Sequence, residues 1–369
     1  MDIKPLRVMV VHTSATGAGH RVAAESLVAV LEEHPGVQAE SFDTLTVSSP
    51  QVREAQTSAI SSMGKIPGLA KWAYEAAVKG NPVVHLAQVA LMALKAHASP
   101  EALAHIQEFQ PDLIVSTQAE ASHMLAHWKR GDKIEAPVWS VLTDPVADGR
   151  WVSNQVDRYF VANEPMVGEL SRLGVDAEQV SVSGIPIKVP PVSSESTEEL
   201  RSRLGLRPDV ATVVITGGGL GGQPFELLVE EMGKLPYPKQ IVCITGTNAP
   251  ARQALEGMDS PHLLHVEGKV SNMHEWMRAA DVVVTKAGGL STSEIQALGK
   301  PMVIHRPVSG LAVRNSERLV EIGSALIGRD VTDTARQTEA LLSNPQPATG
   351  GRAQAASLVA GEIVGYLRD

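Results

Sequence analysis

Three glycine-rich loops follow apolar runs and precede helical patterns. They are TSATGAGHR with Gly17, Gly19 and His20, TGGGLGGQP with Gly218, Gly219 and Gly221, and TKAGGLSTSE with Gly288 and Gly289. Glycine lets the backbone approach a ligand closely, and the helix start behind it offers free N–H groups and a positive dipole end. That is anion chemistry, most often phosphate. The first loop supplies the G-x-G of a dinucleotide fingerprint, but Val22 stands where a third glycine belongs. Asp43 sits where a ribose-binding acid would be. A tight turn feeding a helix explains the same residues. In the third loop, Ser291 and Glu294 read as a capping box. They read equally as a helix N-terminus that takes a diphosphate, with Glu294 on ribose hydroxyls. His20 titrates near neutral pH and can move a proton there, or it can simply cap or pack. His123 and His127 have a metal-ligand spacing without a third ligand, and the chain has no Asp-x-Asp motif. No metal and no cofactor is expected.

The loops need elements to position them. Apolar runs at Val8–Val11, Ala39–Phe42, Leu113–Ser116, Val138–Leu142, Arg158–Val161 and Val180–Val182 read as strands. After GIPIKVPPVSSESTEEL the pattern restarts at Thr212–Thr216, Ile241–Thr245, Leu263–Val266, Asp281–Thr285 and Met302–His305. Helices are predicted between them, near Pro224–Met232, Met273–Ala280 and Ser291–Leu298, and at the end over Arg352–Leu367. Strand–helix alternation predicts an α/β protein with parallel sheets, here two Rossmann-like domains with a cleft between them. The expected division is 1–186, a linker at 187–200, 201–351, and a terminal helix at 352–369 that packs back on the first domain.

The 369 residues are 43% hydrophobic and 20% charged, with net charge −9, which fits a globular protein and argues against a nucleic-acid binder. The single cysteine, Cys243, lies in the apolar run IVCIT and reads as a buried strand residue. The stretch PVVHLAQVALMALKAHA from Pro82 is too short and too interrupted to span a bilayer, and no secretory core is evident. A cytoplasmic protein is expected, lying against a membrane without crossing it. Between Ile60 and Ala98, Lys65, Lys71, Lys79 and Lys95 face one acid, Glu75, with Trp72 and Tyr74 among them. Such a segment suits an anionic bilayer surface; buried helices with solvated lysines are the alternative.

The motifs together resemble a family. TKAGGLSTSEIQALGKPMVIHRPVSG is similar to the donor-binding segment of the diacylglycerol sugar transferases, monogalactosyldiacylglycerol synthase and the processive diacylglycerol glucosyltransferases. These are distant relatives of the GlcNAc transferase that completes the peptidoglycan lipid precursor. SATGAGHRVAAESL, TDPVADGRWVSNQVDRYFVANEPMVGELSRLGVDAEQVSVSGIPI and VEGKVSNMHEWMRAADVVV resemble other family blocks in the same order. The resemblance implies a GT-B fold, with acceptor in the first domain and nucleotide-sugar, UDP-linked, in the second. It implies inverting, metal-independent transfer to a lipid hydroxyl on the inner face of the membrane. His20 would be the base, and Asp144, kept from the family, would be a second catalytic residue. Lys188 would add positive charge to the donor site. Val270 and Met273 would pack the base, and Ser291, Thr292, Arg314 and Asn315 would complete the site. Lys65, Lys71, Trp72 and Lys79 would meet the membrane or the acceptor.

The match breaks at the sugar. Relatives carry a Gln-Glu pair where this chain has Leu311 and Ala312, and neither side chain can bond a hydroxyl. Asp148 replaces a histidine of many relatives, and Gln118 stands in STQA where some have STHP. An altered donor, lost activity with retained nucleotide or lipid binding, or a nucleotide-sugar epimerase of the same fold are the competing readings.

Overall fold

The computed structural model describes residues 5–13, 18–46, 76, 81–188, 194–236, 239–308 and 310–369. The chain divides into two compact units, Met1–Lys188 with Gln354–Asp369, and Val189–Ala353.

The first unit runs β1 (Leu6–His12), α1 (Gly19–Glu32), β2 (Val37–Asp43), α2 (Pro82–His97), α3 (Pro100–Phe109), β3 (Leu113–Ser116), α4 (Ala119–Arg130), β4 (Val138–Val141), β5 (Arg158–Val161), α5 (Pro165–Arg172) and β6 (Val180–Val182). Its sheet has the order β2-β1-β3-β4-β5-β6, parallel throughout. Successive side chains of a strand face opposite ways, and a parallel sheet is buried on both faces. β1 shows this: Met9 and Val11 join one core cluster, Val8 and Val10 the other.

The second unit runs α6 (Thr197–Arg203), β7 (Thr212–Thr216), α7 (Phe225–Met232), β8 (Gln240–Ile244), α8 (Ala249–Glu256), β9 (Leu263–Glu267), α9 (Met273–Ala279), β10 (Val282–Thr285), α10 (Gly289–Ala297), β11 (Met302–His305), α11 (Gly310–Glu321), β12 (Leu326–Gly328) and α12 (Val331–Ser343). Its sheet order is β12-β11-β10-β7-β8-β9, again parallel. The last helix, α13 (Ala355–Arg368), belongs to the first unit. Its Val359, Ala360, Ile363 and Val364 are buried against Trp139, Phe160 and the β1 valines. Each large aliphatic buried this way contributes about 1.5–3 kcal/mol. Arg158 and Glu362 add an ion pair at 2.7 Å.

In both sheets the chain reverses its direction of winding once. The switch lies between β1 and β3 in the first unit and between β7 and β10 in the second. Loops leaving the C-terminal ends of such strands diverge, so a crevice opens there. These are the loops that carry His20, Gly217–Gly222 and Lys286–Gly289.

Two differences from the sequence pattern have physical causes. β12 is three residues long and ends in Gly328, where an added Cβ would lie 2.0 Å from the Thr334 Oγ1. Glycine lets α12 pack close, but it weakens the strand signal. Helix α10 begins at Gly289 with Gly288 as N-cap, so Ser291 is not an N-cap and makes no capping bond. The capping-box reading of Ser291 and Glu294 is therefore corrected. Glu294 sits too far into the helix to reach the capped amides.

Candidate active site

In the first unit, His20 lies on the first turn of α1, after β1. Its Nδ1 is 2.9 Å from the Thr117 carbonyl oxygen, just past β3. A carbonyl can only accept, so Nδ1 carries the proton and the ring's other nitrogen, Nε2, keeps its lone pair. The Thr143 hydroxyl, after β4, stands 2.9 Å from the same Nδ1. The Thr117 hydroxyl donates to the His20 carbonyl at 2.9 Å, which closes a reciprocal clamp across the switch point. Nε2 has no partner among the described residues. Burial pulls the His20 pKa below the ordinary imidazole value, while the Asp144 carboxylate and the Thr117 carbonyl push it up. The net is a neutral imidazole with a fixed tautomer.

Asp144 is half-buried and acts on His20 through its charge. Asp148 is buried, and its carboxylate holds Arg150 through Nε at 2.9 Å and Nη2 at 2.7 Å. His123 Nε2 donates to the Arg150 carbonyl at 2.8 Å. Among the described residues no group of three His, Cys, Asp or Glu side chains could hold a metal. Asp43 Oδ1 accepts the Leu45 N–H at 3.0 Å and so shapes a turn.

In the second unit, the loop after β7 is folded back on itself. Gly221 has φ +60°, and a Cβ there would stand 1.8 Å from the Thr245 carbonyl oxygen. Glycine at this position is what the loop's own packing requires. Gly218, Gly219 and Gly288 would meet nothing within 4 Å, so these positions face open space. Lys286 reaches across the switch point: a Cβ on Gly222 would lie 3.2 Å from its Nζ. Its ammonium has no ion partner among the described residues, and partial desolvation lowers its pKa. A cation and the N-terminus of α10 thus bracket one loop.

Glu294 is on the same helix. Burial alone pushes its pKa up to about 7, and no described residue bonds its carboxyl. Thr292 is buried, and its hydroxyl donates to the carbonyls of Gly288 at 2.9 Å and Gly289 at 3.1 Å. Asn315, also buried, donates to the Ala287 carbonyl at 3.0 Å. Both brace the loop. Val270 and Met273 are half-buried against the core cluster of this unit, as is Ala312. Ser291, Leu311 and Arg314 are half-buried, and Lys188 is exposed. Gly19 opens α1. Gly17, Lys65, Lys71, Trp72 and Lys79 lie outside the described residues. The fourth lysine of that segment, Lys95, is paired with Glu120 at 3.1 Å. Sequence reasoning missed Thr117, Thr143 and Lys286. The signal was their position just past β3, β4 and β10, beside the switch points.

Two family models match the chain. Residues 20–187 match monogalactosyldiacylglycerol (MGDG) synthase, and residues 212–342 match the glycosyltransferase family 28 C-terminal domain. The chain thus carries an MGDG-synthase-like region followed by a family 28 C-terminal domain. It is 31% identical over 243 residues to a processive diacylglycerol beta-glucosyltransferase of Bacillus cereus (strain AH187), across 65% of this chain and 62% of that protein. The figures are the same for the protein of that name in Bacillus thuringiensis (strain Al Hakam). The matched stretch thus spans less than two thirds of the length of these curated relatives.

Solved structures show that the chain has the GT-B fold. Acinetobacter baumannii MurG aligns with TM-score 0.63 at 18% identity, over 98% of this chain and 100% of that one. S. aureus MnaA, solved with UDP, aligns with TM-score 0.64 at 13% identity, over 98% and 97%. The UDP-GlcNAc 2-epimerase of Neisseria meningitidis, bound to UDP-GlcNAc, aligns with TM-score 0.62 at 12% identity, over 98% and 100%. No helix of the described residues is long and apolar enough to cross a membrane.

Proposed function

We propose that this protein transfers a sugar, with inversion, from a UDP-linked donor to the hydroxyl of a diacylglycerol-type lipid, and that it needs no metal. The observation that carries the reading is the Nδ1–H bond of His20 to the Thr117 carbonyl. It turns Nε2 into a fixed, neutral proton acceptor on a helix turn at a switch point. The acceptor oxygen bonds to the anomeric carbon. The bond from that carbon to the diphosphate breaks, its electron pair leaves with the diphosphate, and the hydroxyl proton passes to Nε2. A positioned base of this kind contributes about 10²–10⁴ in rate.

Lys286 and the N-terminus of α10 supply positive charge for the leaving diphosphate, and Gly218, Gly219 and Gly288 give it room. Glu294 suits a ribose diol. Two hydroxyl donors would bring its buried carboxyl into the charged form that burial disfavours. Val270 and Met273 offer a partly open apolar surface for the base, Ser291 on α10 and Arg314 on α11 would complete the donor site, and Lys188 would add positive charge as the family resemblance implies. We assign acceptor binding to the first unit and donor binding to the second, following the family. Val83, Leu86, Leu91 and Leu94 are exposed along α2, which favours contact with lipid. The protein would then work as a peripheral protein on the cytoplasmic face, on anionic bilayers.

The UDP-GlcNAc epimerases share the fold, but the family models favour transfer. The test is mass spectrometry of lipid extracts after incubation with dioleoylglycerol and single UDP-sugars. A glycosylated diacylglycerol supports the proposal. Consumption of the UDP-sugar to its epimer, with no lipid product, would overturn it.

A further inference from the structure

We propose that Arg306 selects the donor, and that the donor sugar is a uronic acid whose carboxylate this guanidinium holds. The inference rests on the nucleotide-sugar reading above and names its substrate class. It starts from a backbone outlier. Among the described non-glycine residues, Gln110, Asp132 and Arg306 have positive φ. Gln110 is the C-cap of α3, and Asp132 directly follows the C-cap of α4. Left-handed residues are routine at helix ends. Arg306, at φ +38°, instead follows the last residue of strand β11. A non-glycine residue held there is strained, and such strain concentrates at binding sites. The strain is fixed from outside: the Arg306 N–H donates to the Gly328 carbonyl of β12 at 2.7 Å.

That turn puts a charge beside the donor loops. β10 and β11 run parallel in register up to Thr285 opposite Ile304, so Arg306 leaves the same edge of the sheet as the neighbouring Lys286–Gly288 loop that leads into α10. Asn315 of α11 binds the Ala287 carbonyl and ties the third element to the same place. Arg306 is exposed and has no ion partner among the described residues. Asp330 caps α12 by accepting the Asp333 N–H, and its charge also reaches His305. His305, next in line, bonds Thr334 and is held neutral by burial and by the Arg306 charge.

The connection from Arg306 leads directly to Leu311 and Ala312. The resemblance puts the sugar there, yet the partners for its hydroxyls are gone and Ala312 is packed on the core. Lys286 and the α10 N-terminus already answer the diphosphate. One strained guanidinium, with no ion partner among the described residues, leads into that segment. A guanidinium grips a carboxylate through two parallel, charge-assisted bonds, which a hexose CH₂OH cannot match. A uronate needs fewer hydroxyl contacts, because its carboxylate carries the recognition. The transfer chemistry is unchanged, and the product is an acidic glycolipid.

The experiment is calorimetric titration of UDP, UDP-glucose, UDP-galactose, UDP-glucuronate and UDP-galacturonate. It uses the wild type, Arg306→Gln, and Arg306→Gly, which adopts φ +38° without strain and so guards against misfolding. One uronate should bind at least tenfold tighter than both hexoses in the wild type. Both variants should lose that preference and keep the affinity for UDP itself. Equal binding of uronates and hexoses overturns the inference while leaving nucleotide binding intact. So does a preference that survives both variants. An equal loss of UDP and UDP-uronate affinity would make Arg306 a diphosphate ligand and also overturn it. No binding of any UDP compound would sink the donor reading itself.

Discussion

At the scale of single residues, environment sets chemistry. His20 is an ordinary imidazole until the Thr117 carbonyl accepts a hydrogen bond from its Nδ1–H and fixes the tautomer. His20→Ala should lower turnover by about 10²–10⁴ while UDP affinity stays within twofold, read by steady-state kinetics and calorimetry. Burial lowers the His20 pKa, so the unprotonated base dominates at neutral pH and an acid limb in turnover should fall below pH 6.5. Glu294 gives the opposite sign. Its pKa is raised to about 7 from an ordinary carboxylate value. The folded state therefore holds a proton that the unfolded state has lost, and stability falls as pH rises from about 4.5 to 7. Glu294→Gln should raise the melting temperature at pH 8 and leave it nearly unchanged at pH 4.5. It should also weaken UDP binding. In the wild type, UDP should bind more tightly as pH rises through 7 and release a proton, measurable by calorimetry in buffers of different ionisation heat. A pH-independent affinity would remove Glu294 from the ribose.

At the scale of elements, two glycines in the second unit separate folding from binding. Gly221→Ala forces a left-handed residue and a methyl into the Thr245 carbonyl, and should cost more than about 2 kcal/mol of stability. Gly288→Ala has φ −87° and open space around it, so stability should change by less than about 0.5 kcal/mol. Its methyl would enter the side where the diphosphate is expected, so UDP affinity should drop. Thermal melts and UDP titrations of the two variants should therefore move in opposite patterns. This scale also marks what could be read from the sequence. The strands β1, β3, β4, β7, β8, β10 and β11 are continuous apolar runs because both their faces are buried, and each is visible as such. The start of α10 was not readable. The segment GGLSTSE contains a good N-cap at Ser291, but the chain starts the helix at Gly289, where tertiary packing rather than propensity decides. The role of Thr117 was hidden for a similar reason: it acts on His20 through a main-chain carbonyl, and any residue type has one. Lys286 lay in plain view within TKAGG, but only the fold brings it to Gly222.

At the scale of the whole molecule, a chain of net charge −9 should be repelled by anionic bilayers unless a local surface reverses the sign. The lysines at 65, 71 and 79 and the exposed apolar side chains of α2 are the features that could do so. Binding to phosphatidylglycerol vesicles should weaken as salt rises from 50 to 500 mM, a range over which the Debye length shrinks to a few ångströms. Replacing the three lysines with glutamine should act on the salt-dependent part, and Leu86→Glu with Leu94→Glu on the remainder. Binding that ignores both salt and the leucines would argue against this surface.

The central claim is that His20 deprotonates a lipid hydroxyl as a UDP-sugar is cleaved. The direct measurement is release of free UDP with and without dioleoylglycerol, for the wild type and for His20→Ala, with UDP-glucose and UDP-glucuronate each tried as donor. The account predicts UDP release that requires the lipid, and a loss of at least about 100-fold in the variant. Release that proceeds equally without lipid, or a variant as fast as the wild type, would contradict it.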